Sequence, residues 1–122
     1  MKLAALAALV AVTGFAVVPA HAAKGPIKIT RVQVSGKEFF YALSRKTVAP
    51  GPAIVQFANF GEDPHDLRLQ RRGARHIAGL REVAPGERAQ LTLRLPPGRY
   101  SLWCSIGDHR KRGMSATLVV TR

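Results

Sequence analysis

The chain is short of cysteine, of acidic residues and of long apolar runs. It has one Cys, one Trp, two Met and seven Asp+Glu in 122 residues. A single cysteine excludes an intramolecular disulfide. No cysteine stands near residue 20, so a bacterial lipid anchor is not expected. No twin-Arg pair precedes the N-terminal apolar stretch. Beyond that stretch there are no internal repeats, heptads or low-complexity tracts.

Residues 1–22 read as a secretory signal. Lys2 supplies a positive start, Leu3 to Val18 an apolar segment, and Pro19-Ala20-His21-Ala22 an A-x-A cleavage site. The apolar segment is short for a bilayer span, which takes roughly 20 residues; an uncleaved N-terminal anchor is the competing reading. Cleavage leaves residues 23–122, 100 residues in all, the size of one small domain with one core. The expected location is the periplasm or the exterior, with no stable membrane insertion after cleavage. An exported domain without a disulfide needs another source of rigidity, and a bound metal is one. A free thiol in an oxidising compartment also asks for a reason; a merely buried Cys is the plain alternative.

The charge is one-sided. Without Lys2 the mature chain carries 18 Lys+Arg against 7 Asp+Glu, a formal +11. Such a field favours acidic partners and salt-sensitive association. Export and the lack of any nucleic-acid-binding motif argue against nucleic acid.

Short apolar alternations cut by Gly and Pro read as all-β. Strands are expected over Ile27 onward with a phase shift at Arg31, then over Phe39–Leu43, Ala53–Asn59, His65–Leu69, Gln90–Leu95, Arg99–Cys104 and Ser115–Thr121. About seven short strands in 100 residues predict a Greek-key β-sandwich or barrel, in a single domain over 23–122. Arg71–Arg75 reads as a basic turn, and His76–Val83 is open between strand, helical turn and loop.

The chemistry lies in Cys104-Ser-Ile-Gly-Asp-His109-Arg-Lys-Arg-Gly-Met114 and in His65 upstream. Cys, two His and Met form the donor set of a mononuclear blue-copper site, with thiolate and two imidazoles in a trigonal plane and the thioether on a long axis. Side chains alternate along strands. His65 is then in phase with Leu67 and Leu69, Cys104 with Leu102 and Tyr100, and Met114 with Ala116, Leu118 and Val120. Each ends an inward apolar row, as a metal site capping a sandwich requires. His109 lies in a loop where parity says nothing. Taken singly, His65 reads as a loop histidine and Met114 as core; the joint pattern favours ligation by His65, Cys104, His109 and Met114. His76 sits among arginines and reads as surface.

Phe57-Ala-Asn59-Phe-Gly61 before His65-Asp66-Leu67, and Gly98-Arg-Tyr100-Ser-Leu-Trp-Cys104 with its C-x4-H-x4-M loop, resemble the cupredoxins, the family of plastocyanin and azurin. The loop length is similar to that of rusticyanin. The resemblance implies a Greek-key sandwich, one type 1 copper cycling between Cu(I) and Cu(II), and His109 near the surface as the electron port. Many cupredoxins carry Asn where this chain has Asp66. A carboxylate there can still accept from the backbone of the Cys104 loop, and its charge shifts the potential downward.

The expected function is one-electron transfer between redox partners by a monomer. Periplasmic copper delivery, storage or resistance is the alternative. Four protein donors on one copper leave no open position, so an enzyme is not expected. The expected partner is a redox protein with an acidic docking surface, a cytochrome or oxidase domain, met by Arg110, Lys111 and Arg112 beside His109. Trp103, opposite in parity to Cys104, is either a second contact point or packed on residues 71–88.

Overall fold

The computed structural model describes Gly14, residues 19–22 and residues 24–122. The segment expected to be a secretory signal, residues 1–22, therefore lies largely outside the described residues. No helix among the described residues is long and apolar enough to cross a membrane.

The described chain is all-β, with nine strands: β1 Thr30–Lys37, β2 Phe40–Leu43, β3 Thr47–Val48, β4 Gly51–Asn59, β5 His65–Arg71, β6 Ala78–Val83, β7 Arg88–Leu95, β8 Gly98–Trp103 and β9 Ser115–Val120. They form two sheets, ordered β2-β1-β4-β7 and β3-β9-β8-β5-β6. The chain crosses repeatedly from one sheet to the other. β1 pairs parallel to β4 and β3 parallel to β9, and the remaining pairs are antiparallel.

The core is the expected alternation made solid. Val32, Val34, Val55, Phe57 and Leu95 face inward from the first sheet, and Leu67, Leu69, Tyr100, Leu102, Leu118 and Val120 from the second. Phe57 is fully buried; truncating such a side chain to Ala costs about 3–5 kcal/mol. It packs where Gly36 has no side chain: a Cβ there would stand 2.6 Å from the Phe57 ring and 3.3 Å from the Met114 methyl.

Three expectations need correction. The first strand starts at Thr30 rather than Ile27. Ile27 and Ile29 are exposed, and Thr30, Val32, Val34 and Gly36 make one unbroken buried row, so no phase shift occurs at Arg31. The irregularity of register falls instead between His65 and Leu67, against β6. The strand count is nine rather than seven. β3 is two residues long and has no alternation to display, and β6, over Ala78–Val83, is an edge strand that is mostly solvent-facing. His76 is exposed, in the segment ahead of β6.

One end of the sandwich gathers what matters for function. β1 and β4 run parallel and finish there, β5 begins there at His65, β8 ends there before Cys104, and β9 leaves from there after Met114.

Candidate metal centre

His65, Cys104 and His109 converge at that end. One donor atom from each lies within 4.8 Å of the others. The two Nδ1 atoms are 3.2 Å apart, and Cys104 Sγ is 3.6 Å from His109 Nδ1. Metal–nitrogen and metal–sulfur bonds of about 2.0–2.3 Å put donors in one trigonal plane roughly 3.5–4 Å apart. The cluster is at that spacing or slightly inside it.

The expected inward rows are present. His65, Leu67, Leu102, Cys104, Met114 and Leu118 are fully buried. His109 is half-exposed, in the loop between β8 and β9. That loop is closed by backbone bonds from the His109 amide to Ile106 O at 3.1 Å, the Met114 amide to His109 O at 3.0 Å and the Cys104 amide to Met114 O at 3.1 Å. The last two tie Met114 directly to the residues flanking it in the cluster.

Cys104 is a thiol under opposed influences. Burial pushes its pKa up, while hydrogen bonds from the Asp66 and Ile106 backbone amides favour the thiolate. Asp66 behaves as its sequence position suggested. The Ser105 amide donates to Asp66 Oδ1 at 2.7 Å, the Ser105 hydroxyl donates to Oδ2, and Arg68 Nε stands 3.4 Å from Oδ2. The buried Tyr41 hydroxyl donates to the Asp66 carbonyl. Burial also pushes the Tyr41 phenol well up, with Cys104 and Asp66 adding to the shift, so Tyr41 stays neutral.

Two neighbours carried no sequence signal. Glu38, in the turn between β1 and β2, places Oε1 2.8 Å from His65 Nε2 and accepts from the Glu62 and Asp63 amides at 2.9 Å each. The Asp63 amide, with help from His65 and Glu62, holds the Glu38 carboxyl down from 4.5 to about 2. Phe39 lays its ring 4.8 Å from the His109 ring and 6.4 Å, edge-on, from that of His65. Parity does not operate in a turn, and both contacts bridge long sequence separations.

The basic residues after His109 are partly engaged. Arg110 stacks its guanidinium 4.5 Å over Trp103, and Arg112 sits 4.7 Å over Phe39 while pairing with Asp108 at 3.0 Å. Trp103 is nearly buried, lies under Arg110, and lines a cleft with Arg68, Ile77 and Ser105.

The donor chemistry fits copper. A thiol and two imidazoles in a compact cluster, buried but for His109, with a buried thioether next in the chain, suit a metal that is soft as Cu(I) and takes nitrogen as Cu(II).

No family model matches the sequence, and no curated protein does. The fold is shared with solved structures. Dithionite-reduced auracyanin from the photosynthetic bacterium Roseiflexus castenholzii aligns at TM-score 0.63 and 19% identity, over 76% of this chain and 98% of that one. Rusticyanin from Thiobacillus ferrooxidans gives 0.63 and 19%, over 79% of each chain. Auracyanin A from Chloroflexus aurantiacus, described as a "blue" copper protein, gives 0.60 and 15%, over 77% of this chain and all of that one. The cupredoxin-like fold implied by the two sequence segments is the fold observed.

Proposed function

We propose that this protein holds one type 1 copper through His65 Nδ1, Cys104 Sγ and His109 Nδ1, with the Met114 thioether on the axis, and carries single electrons. The observation that carries the reading is the convergence of one thiol and two imidazole nitrogens within 4.8 Å at the rigid end of a sandwich. Copper supplies the one-electron couple. The chain supplies a shell that is already assembled: His65 on a strand, Cys104 and Met114 fixed by backbone bonds, His109 held against Phe39. Little rearrangement then accompanies each electron, and four protein donors leave no position for a substrate, which favours a carrier over an enzyme.

Copper delivery or storage is the reading to separate from this one. In voltammetry the carrier gives a reversible one-electron couple, and a strong Cu(I) chelator strips the reduced protein slowly. Rapid loss of Cu(I) to the chelator with retention of Cu(II) would favour delivery instead.

The signal-like N-terminus supports a location outside the cytoplasm; exported protein should begin at residue 23. The partner proposed is a redox protein with an acidic face near His109, such as a cytochrome or oxidase domain, met by Arg110, Lys111 and Arg112. Exposed charges act over about 8 Å at physiological ionic strength and change encounter rate more than docked affinity. Replacing all three by Gln should slow electron transfer to an acidic partner and flatten its salt dependence. An unchanged rate at low and high salt would remove this docking surface.

A further inference from the structure

Glu38 makes three contacts through one oxygen, and they bind together parts of the chain that are far apart in sequence. Oε1 accepts from the Glu62 amide and the Asp63 amide, and it faces His65 Nε2. An oxygen that already accepts two backbone N–H bonds has no proton of its own to give. The proton in the third contact therefore belongs to His65 Nε2. In the neutral imidazole, the form that can ligate a metal, this selects the tautomer with Nδ1 bare, and it is Nδ1 that points at His109 and at the cluster.

The space for this arrangement is made by Gly61. A Cβ on residue 61 would stand 2.1 Å from Glu38 Oε1, so no larger residue coexists with the carboxylate in its present place. The same short loop is gripped from its other side by the buried Asn59. Its Oδ1 accepts from the Gly61 amide at 2.9 Å, and its Nδ2 donates to Asp63 O at 2.8 Å and Val83 O at 2.9 Å. Glu38 and Asn59 together hold the 61–63 segment that leads into His65.

We propose that Glu38 is the positioning residue of the metal centre, orienting His65 Nδ1 toward the metal through Nε2, and that Gly61 is required for it to do so. This rests on the copper reading for its purpose, while its geometry is that of the chain's own side chains and backbone. Partners of ligating histidines typically change metal affinity by about 10–100-fold when removed. The Glu38 charge, close to a ligand, also favours the oxidised over the reduced metal and so lowers the potential.

The test begins with nitrogen NMR of the apo-protein, which needs no metal and so stands or falls apart from the copper reading. Wild-type His65 should carry its proton on Nε2; a proton on Nδ1 overturns the proposal without any variant. Glu38→Gln keeps an acceptor oxygen and loses the charge. It should keep the tautomer and most of the copper affinity, and raise the potential. Glu38→Ala should mix the tautomers and weaken copper binding about 10–100-fold. Gly61→Ala leaves Glu38 in the chain but displaces its carboxylate, and should behave as Glu38→Ala does. If folded Glu38→Ala and Gly61→Ala both keep the Nε2-protonated tautomer and wild-type copper affinity, Glu38 does not position His65.

Discussion

His65 and His109 bring the same ring nitrogen to the same point from opposite kinds of structure. His65 opens strand β5, is fully buried, and has its outer nitrogen engaged by Glu38. His109 rides a loop, is half-exposed, and is steadied by loop backbone bonds and by the Phe39 ring beneath Arg112. Position in the fold divides one chemistry into two jobs. On the copper reading, the strand histidine would fix where the metal sits. The loop histidine is the donor nearest to solvent, and on the same reading it would give an electron the shortest way out.

The sharpest way to break that division is to remove each histidine in turn. His109→Gly should lose the visible copper band and regain it when free imidazole is added, because the gap opens to solvent. It should leave apo stability within about 1 kcal/mol of wild type. His65→Gly should lose the band and not regain it, and should destabilise the apo fold by roughly 1–3 kcal/mol, since a buried side chain is deleted from a packed site. Equal rescue of both by imidazole, read by absorption, would mean that the two are interchangeable.

A smaller effect concerns the axis. Met114→Leu should keep copper and the band but raise the potential, because a weak donor to the oxidised metal is removed. Voltammetry showing no shift would make Met114 core packing alone, a role its contact with the space above Gly36 already gives it.

The smallest effect is a pH dependence on the His65 side. Glu38 falls from 4.5 to about 2 on folding. A depressed carboxyl contributes stability that is fully present above the unfolded value and is lost as pH falls through the folded one. The stability difference between wild-type apo-protein and Glu38→Ala should therefore be constant above about pH 5 and shrink between pH 4.5 and about 2. Denaturant melts that show a constant difference down to pH 2 would place the Glu38 contribution outside its charge.

How much of this was legible in the sequence follows from the range of each signal. Period-2 alternation reports a buried row, and it placed His65, Cys104 and Met114 at the ends of three such rows, and β4, β5, β7, β8 and β9 within a residue or two. It failed where alternation is absent or misleading. β3 is too short to alternate, β6 lies at an edge, and Ile27 and Ile29 alternate with lysine yet lie outside the sheet, exposed. His109 was found from spacing after Cys104. Glu38 and Phe39 meet the site through space alone, 27 residues from His65 in the first case, and no local pattern marks such a contact. Asp66 lay between: its position beside His65 suggested a bond to the Cys104 loop, and Ser105 makes it.

The proposed function depends on one metal held by one thiolate between two unlike histidines. The most direct measurement is titration of the apo-protein with Cu(II), followed by visible absorption, for wild type and Cys104→Ser. The account predicts an intense thiolate-to-copper charge-transfer band that saturates at one equivalent in the wild type and is absent from Cys104→Ser. Weak absorption from the wild type, no stronger than that of Cys104→Ser, would contradict it.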